Sequence, residues 1–314
     1  MGSIACTTSS VITVGAELIG VVPVWCGLVE VARGLFLADD GTFKWVLIDA
    51  DVFPGKEWSY ITMEEIRSLT FPLFPSGSWN FGRISRLEDD KVDFTTTLSR
   101  PIEGIDNTWH PTKIDFMEFE LVSEFPGCTD ARLWHAKHPL FNDKPLFVKI
   151  SPWATGWARI TLEKETKAYE KLQGLGMSPH FLGHVTYQGA VIGLILEWID
   201  GAKTTDKKDK GARIKLVKKL HRLGIAHGCA HHKNFLKAGD NMMVIDFEEA
   251  RFDDEATDEH KKEDIRRVRD FKNDMSWQGI VDEWEDIPPS EPYWAELSNH
   301  VVLKTKDSTT SGKD

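Results

Sequence analysis

The sequence predicts an α+β protein with a β-rich N-terminal extension. Residues 11–100 consist of short strand-like runs separated by turn residues. From Ile114 onward, predicted strands alternate with two predicted helices. The chain has 314 residues, of which 41% are hydrophobic and 28% charged. It is therefore long enough to bury a sizeable core, and wholesale disorder is excluded.

The extension is divided by turn sequences. Lys44–Ile48 and Phe81–Ile84 are apolar, strand-like runs, and turn residues at 39–41, 54–55 and 75–77 bound such runs. A short helix is predicted from Thr62, because Glu65 follows it by three residues as in a capping box.

The remainder of the chain alternates between strand and helix patterns. Leu216, Leu220 and Leu223 recur at steps of four and three, which is the spacing of one helix face. The predicted strands are Phe116–Val122, Ala131–Ala136, Leu146–Ile150 and Val191–Ile199, and the predicted helices are Thr161–Leu172 and Arg213–Leu223. Residues 201–209 are predicted to form a polar connection, and residues 305–314 a disordered tail.

Charge and cysteine content exclude several classes of protein. The net charge is −11, which argues against broad binding of nucleic acid or of an anionic membrane. The four cysteines are scattered and form no C-x-x-C pair, and no apolar run is long enough to span a bilayer. We therefore expect a soluble, cytoplasmic protein with neither a nucleic-acid partner nor a membrane partner.

Two charged stretches are predicted to be mainly solvated. The basic stretch Lys203–Lys219 is interpreted as a solvated helix face, with an anion-binding patch as the minor alternative. The stretch Asp246–Asp264 contains ten carboxylates, most of which we expect to face solvent. The adjacent pair His231–His232 has no convincing partner ligand for a metal site.

One group of polar residues has informative spacing. His227 and Asn234 lie seven residues apart, and Asp246 follows Asn234 by twelve residues. Asp246 comes directly after the apolar run 242–245 and is followed by Phe247 and Glu248.

Four upstream residues extend this pattern in a consistent order. Lys149 lies in a predicted strand and Glu165 in the predicted helix that follows. Glu197 and Ile199 lie at the end of a later apolar strand. Each feature is weak alone, but their order and separations together are much more specific.

With these residues in this order, the chain resembles the protein kinase-like superfamily and, more closely, kinase-like proteins familiar from filamentous fungi. The phrases that carry the closer resemblance are residues 74–80, 179–185, 191–197, 220–228 and 233–235. The resemblance implies a two-lobed kinase-like fold that holds ATP and magnesium between its lobes. It divides the chain into an extension (1–112), a small lobe (113–200), a short large lobe (201–304) and a tail (305–314).

The resemblance also implies roles on the phosphate side of the site. Lys149 would contact the nucleotide phosphates, and Glu165 would hold Lys149 through an ion pair. Glu163 and Glu170 lie in the same predicted helix and compete for that role.

Further roles concern the base, the metal ion and the loop. Glu197 and Ile199 would contribute to the segment that meets adenine. Asn234 and Asp246 would hold magnesium, and His227 would hold the catalytic loop in shape.

The chain departs from the kinase pattern at its catalytic position. Cys229 stands where the superfamily has its catalytic Asp, and a free thiol with a pKa of about 8.5 is mostly neutral at pH 7. His231, His232 and Lys233 are nearby alternatives that the sequence does not place. Glu248 replaces the glycine of the D-F-G motif.

Two further departures concern phosphate and acceptor binding. Only Gly127 survives from a glycine-rich loop between residues 125 and 136. The chain after Asp246 is short for a peptide-docking lobe, which favours a compact acceptor.

The leading hypothesis is an ATP- and magnesium-binding protein that is either a pseudokinase or a weak phosphotransferase with a small-molecule or unknown acceptor. The alternative is a non-catalytic scaffold in which the extension binds a partner protein.

Overall fold

The computed structural model describes residues 12–13, 16–26, 29–53, 69–125, 132–151 and 156–270. The described chain divides into two compact units, with the boundary at Ile102. The second unit contains both strands and α-helices, so the predicted α+β class is confirmed. The helix predicted from Thr62 and the predicted tail lie outside the described residues. Within the described ranges, no helix is both long and apolar enough to cross a membrane.

The first unit is built on a six-stranded sheet. Its strands occur in sequence order, and all neighbours are antiparallel except the parallel pair β4 and β5. The strands are β1 (Ile12–Thr13), β2 (Ala16–Cys26), β3 (Val29–Ala38), β4 (Phe43–Asp49), β5 (Phe81–Arg86) and β6 (Val92–Leu98). Asp40 closes the β3–β4 turn by accepting a hydrogen bond from the Thr42 amide at 2.9 Å.

The interior of this sheet is aromatic and contains two satisfied cations. Phe36 packs edge-on against Phe74, with ring centroids 4.9 Å apart. The Lys44 ammonium donates to the Trp79 carbonyl, and Arg83 forms a 2.8 Å ion pair with Asp49. Because both cations have protein partners, they are explained as structural residues.

The second unit begins with another six-stranded sheet, in the order β7-β11-β12-β10-β9-β8. Its strands are β7 (Lys113–Asp115), β8 (Glu120–Glu124), β9 (Arg132–Lys137), β10 (Leu146–Ile150), β11 (Phe181–Tyr187) and β12 (Ala190–Glu197). Helix α1 (Gly156–Leu172) connects β10 to β11. Strand β10 lies between β9 and β12, so Lys149 sits on a central strand, opposite Leu133 and Leu194.

In the described part of the second unit after β12, up to residue 270, the chain forms two helices and two small sheets. The helices are α2 (Lys210–Arg222) and α3 (Asp258–Arg269). The small sheets contain β13 (Lys203–Thr204), β15 (Phe235–Ala238) and β16 (Asn241–Val244), and β14 (Ile225–Ala226) with β17 (Arg251–Phe252). Asp246 lies just after β16, as its position behind an apolar run predicts.

Several predicted element boundaries are wrong for local reasons. The predicted strand Phe116–Val122 begins as a 3-10 turn, because Asp115 accepts from the Met117 amide and closes a capping box with Glu118. Thr161 does not start α1; its buried hydroxyl donates to the Ala158 carbonyl inside the helix. Strand β12 ends at Glu197, two residues earlier than predicted.

Two predictions about charged residues also need correction. Residues 201–209 are not only a connection, because they contain β13 and a 3-10 turn. Arg213 is fully buried within the predicted solvated helix face, where it donates to the Thr205 hydroxyl at 3.0 Å. In the acidic stretch Asp246–Asp264, most carboxylates are at least partly exposed, in line with the prediction, and Asp264 is the fully buried one.

Candidate functional site

The Lys149 ammonium is the centre of the candidate site. It lies 2.7 Å from Glu165, 3.0 Å from Asp246 and 2.6 Å from Glu248. These three carboxylates come from α1 and from the segment after β16, whereas Lys149 comes from β10. A lysine ammonium has three donors, so one side chain joins three separate parts of the chain.

The structure distinguishes Glu165 from its two competitors on α1. Glu165 shares the buried face of the helix with Leu162 and Tyr169, three residues before it and four after it. Glu163 instead accepts hydrogen bonds from the backbone of Asp106 and Asn107. Sequence spacing alone does not separate these glutamates, because only the packing of α1 decides which of them faces Lys149.

Burial and charge act in opposite directions on this cluster. Burial would lower the pKa of Lys149, but the charges of Glu165, Glu248 and Asp246 outweigh it and raise this pKa well above its usual value. Burial raises the pKa of Glu165 to about 7, against the attraction of Lys149. Burial opposes ionisation of Asp246 as well, yet the nearby ammonium keeps its pKa below the ordinary value. One ammonium faces three carboxyl groups, so negative charge exceeds positive charge in the cluster.

Its donor atoms fit a hard divalent cation. Carboxylate oxygens of Glu165, Asp246 and Glu248 lie within 4.8 Å of one another. Oxygen ligands of this kind are those that Mg²⁺ prefers, usually through one or two carboxylates together with substrate phosphates. Asp246 and Glu248 are partly exposed, with 39% and 33% of their side-chain surfaces accessible, so they are the members that a bound cation can reach.

Asp246 has an unusual backbone. Its φ of +67° lies in the left-handed region, which few non-glycine residues adopt. Phe247 is fully buried, and its ring stands edge-on to Tyr169 with centroids 5.4 Å apart. The ring of Phe247 also lies 5.1 Å from that of His227. This packing fixes the turn that presents Asp246 to Lys149.

His227 holds the candidate catalytic loop through both ring nitrogens. Its Nδ1 accepts from the Cys229 amide at 3.2 Å, and its Nε2 lies 3.0 Å from the Ile245 carbonyl. One nitrogen accepts and the other faces an acceptor, which assigns the neutral tautomer with hydrogen on Nε2. The ring is fully buried, so its position indicates a structural role and not contact with substrate.

Asn234 links the same loop to the strand that precedes Asp246. Its side-chain nitrogen donates to the Cys229 carbonyl at 3.0 Å, and its backbone carbonyl accepts from the Ile245 amide at 3.0 Å. Because the side-chain nitrogen of Asn234 already donates to Cys229, its Oδ1 is the side-chain atom that is suited to ligate a cation.

Asp264 anchors the loop that contains His227 and Cys229, and the sequence analysis did not identify it. Its two carboxylate oxygens accept from the backbone amides of His227 and Gly228 at 2.8 and 2.9 Å. His221 Nε2 lies 3.0 Å from one of these oxygens, Asp264 Oδ2. The available signal was the helical spacing of Asp264 with Val268, which places both residues on the buried face of α3.

Gly228 is required at its position for two reasons. Its φ is +79°, and a Cβ built there would lie 2.1 Å from the Glu249 carbonyl oxygen. Any other residue would force the loop away from this neighbouring backbone.

Cys229 is a free, partly buried thiol in this loop. Burial, aided by the charge of Asp246, raises the pKa of the thiol to about 11. At neutral pH the side chain is therefore uncharged, and it supplies no carboxylate for an acceptor hydroxyl. His231 Nδ1 accepts from the Lys233 amide at 3.2 Å, and His231 lies near enough to Asp246 to influence the pKa of that carboxyl. A catalytic role for His231, His232 or Lys233 stays a prediction.

The remaining predicted residues are Glu197, which is the last residue of β12, and Ile199, which lies two residues beyond it. The Glu197 carboxylate accepts from the His180 amide at 2.8 Å, and the Ile199 carbonyl accepts from Ala202 at 3.2 Å. Among the described contacts, neither residue shares a side-chain interaction with Lys149 or Asp246. Their predicted contact with a base stays a prediction.

Comparison with known proteins supports the kinase-like part of the resemblance. A family model described as the lipopolysaccharide kinase (Kdo/WaaP) family matches residues 197–287. This range is less than half of the chain, but it includes His227, Asn234 and Asp246. A comparison with curated proteins finds no match.

Proposed function

We propose that this chain binds ATP with magnesium in a kinase-like site and is a pseudokinase or a weak phosphotransferase. The observation that carries the proposal is the position of Lys149, which contacts carboxylates from α1 and from the Asp246 segment at the same time. The family match to residues 197–287 supports the same chemistry independently of the Lys149 contacts.

In the proposed site, Lys149 donates to nucleotide phosphates and Glu165 keeps its ammonium in place. Asp246 and Asn234 would hold magnesium, with Glu248 as an additional oxygen ligand. The cation would supply charge neutralisation on the triphosphate. Glu197 and Ile199 would lie where the chain meets the base, and Asp264 with His227 would keep the loop rigid.

The loop limits the rate of transfer. A neutral Cys229 thiol neither accepts the acceptor hydroxyl's hydrogen bond as a carboxylate does nor supplies negative charge. Positioning and electrostatic stabilisation provide most of the acceleration of phosphoryl transfer. We therefore expect nucleotide binding to persist while turnover is slow or absent.

The acceptor is proposed to be a small molecule and not a protein segment. This part of the proposal is supported by the printed name of the matched family, which refers to a lipopolysaccharide kinase. The two-lobed arrangement, the closer resemblance to fungal kinase-like proteins and the degenerate catalytic loop belong to the same proposal.

The raised pKa of Cys229 also favours a second candidate, a non-catalytic scaffold. Thermal shift with ATP and magnesium, alongside an ATP turnover assay on wild type, Cys229→Asp and Asp246→Ala, separates the two. Stabilisation by MgATP that Asp246→Ala removes supports the proposal. No stabilisation of the wild type would overturn it and leave the scaffold.

A further inference from the structure

A segment near the start of the second unit, before β7, runs along one side of helix α1. Gly104 approaches β12 so closely that a Cβ would lie 2.5 Å from the Val191 amide nitrogen, and the Ile105 amide donates to the Val191 carbonyl at 3.1 Å. The chain then continues from Asp106 to Trp109 beside α1. We call Ile105–Trp109 the strap.

The strap contacts a single stripe of α1. Glu163 accepts from the amides of Asp106 and Asn107 at 2.9 and 2.8 Å. The Trp109 indole donates to the Thr166 carbonyl at 3.2 Å. The other two contacts of the stripe are the pair Arg159–Asp106 at 3.3 Å and the hydrogen bond from Asn107 to Glu170 at 3.1 Å.

This stripe is separate from the face that carries Glu165. Positions 159, 163, 166 and 170 recur at steps of four, three and four and therefore share one side of the helix. Glu165 and Tyr169 occupy the neighbouring buried side. A helix held along one side has little freedom to rotate about its axis, and rotation would withdraw Glu165 from Lys149.

Trp109 also fixes the strap to the aromatic core. Its ring lies 4.8 Å from Phe181, and Phe181 lies 5.9 Å from Tyr169, one turn after Glu165. The strap thus contacts α1 through hydrogen bonds and the ring cluster through packing.

We propose that the strap positions α1 for nucleotide binding, with Glu163 and Trp109 as positioning residues that act through the Glu165–Lys149 pair. This inference rests on the proposed function for its nucleotide readout. The Glu165–Lys149 pair itself provides a second readout that does not need nucleotide.

The nucleotide test is a double-mutant cycle in the full chain, read by MgATP titration. We expect Glu163→Ala to weaken MgATP affinity about tenfold, equivalent to about 1.4 kcal/mol. In a Glu165→Gln background the same change should have no further effect on affinity. Glu163→Gln retains an acceptor oxygen and should recover part of the loss, and Trp109→Phe should show a smaller loss.

The second test measures acylation of Lys149 by mass spectrometry without nucleotide, with buried Lys44 of the first unit as the internal reference. Glu163→Ala should increase modification of Lys149 relative to Lys44. The control is Glu259→Ala, an exposed helix glutamate whose contact with Lys262 is 3.8 Å long. It should change neither readout.

The outcomes separate the two proposals. If the wild type does not bind MgATP, the proposed function fails, and the labelling result alone decides the role of the strap. If Glu163→Ala lowers only the melting temperature, with Lys149 labelling and MgATP affinity unchanged, the strap is merely structural and the inference is overturned.

Discussion

The Lys149 cluster and the Cys229 loop belong to the same unit but differ in charge. Around Lys149, three carboxylates contact one buried ammonium within 3.0 Å. The loop is fixed just as firmly by His227 and Asp264, yet Cys229 contributes no charge at neutral pH. The difference shows that buried hydrogen bonds can hold a loop in a defined shape while the Cys229 position within it carries no charge.

The largest effect on this comparison is expected from removal of the Lys149 ammonium. Lys149→Met would leave Glu165 buried beside two other carboxylates without compensation. Loss of one partner from a buried ion pair costs about 3–5 kcal/mol. We expect a loss of that size in the free energy of unfolding, measured by denaturant titration, together with loss of MgATP binding.

The matched control for this variant is Lys237→Met. Lys237 pairs with Asp209 at 2.9 Å, but its side chain is 40% exposed. Exposed pairs contribute about 0–1 kcal/mol, so this variant should change stability little and leave MgATP affinity unchanged. Equal losses in the two lysine variants would show that the Lys149 cluster has no special importance.

The loop side is tested through Asp264. Asp264→Ala removes the acceptor of two buried backbone amides and the partner of His221, and we expect it to destabilise the unit by about 3 kcal/mol. Asp264→Asn keeps one acceptor oxygen and should lose about half as much. Chemical denaturation provides the measurement.

The neighbouring Glu263→Ala is the control for Asp264. Glu263 pairs with Arg266 on the surface of α3, and this change should cost less than about 1 kcal/mol. A stability loss for Asp264→Ala no larger than that of Glu263→Ala would contradict the anchoring role.

A third prediction uses pH to separate the charged cluster from its surroundings. The folded pKa of Glu165 is raised from 4.5 to about 7, so its contribution to stability is full below pH 4.5 and is lost as pH rises through 7. Burial lowers the pKa of His184 from 6.5 to about 4. The His184 contribution is present above pH 6.5 and is lost as pH falls through 4, by about 2–3 kcal/mol.

Because the two groups act in opposite directions, each is read as a difference from its variant. Between pH 4.5 and 7, wild type should lose stability relative to Glu165→Gln as pH rises. Between pH 4 and 6.5, wild type should gain stability relative to His184→Gln as pH rises. The free energy of unfolding measured at several pH values checks both, and parallel curves would reject the corresponding assignment.

The sequence predicted which strands and helices carry the site residues better than it predicted which side chains contact one another. Lys149 was predicted to lie in an apolar strand and Asp246 just after one, and the structure places them there, whereas their roles were implied by the resemblance alone. Glu165 could not be separated from Glu163 and Glu170, since rotation of α1 is set by tertiary packing, including the strap.

Other residues were misjudged because composition hides burial. The acidic stretch was predicted to be mostly solvent-facing, and the sequence did not single out Asp264 as its fully buried member and the anchor of the loop. Glu248 was noted only as a departure from a glycine, whereas it contacts Lys149 at 2.6 Å. Arg213 was assigned to a solvated face, yet its side chain is held by Thr205 and the Asp206 carbonyl.

The smallest expected effect concerns the chemistry of Cys229 and leaves stability unchanged. Since its pKa is raised to about 11, alkylation at pH 8 should be slow relative to a free thiol. Peptide mass spectrometry after iodoacetamide treatment gives the rate at this position. Rapid modification at pH 8 in the folded protein would mean that the thiol is not buried as described.

The most direct test of the central claim is ATP turnover and MgATP binding by wild type and Cys229→Asp, with Cys229→Ser as the matched neutral control. The account predicts similar MgATP affinity in all three proteins, and turnover that appears or increases at least about tenfold only in Cys229→Asp. Wild-type turnover equal to that of Cys229→Asp would contradict the claim that the retained loop lacks its catalytic charge.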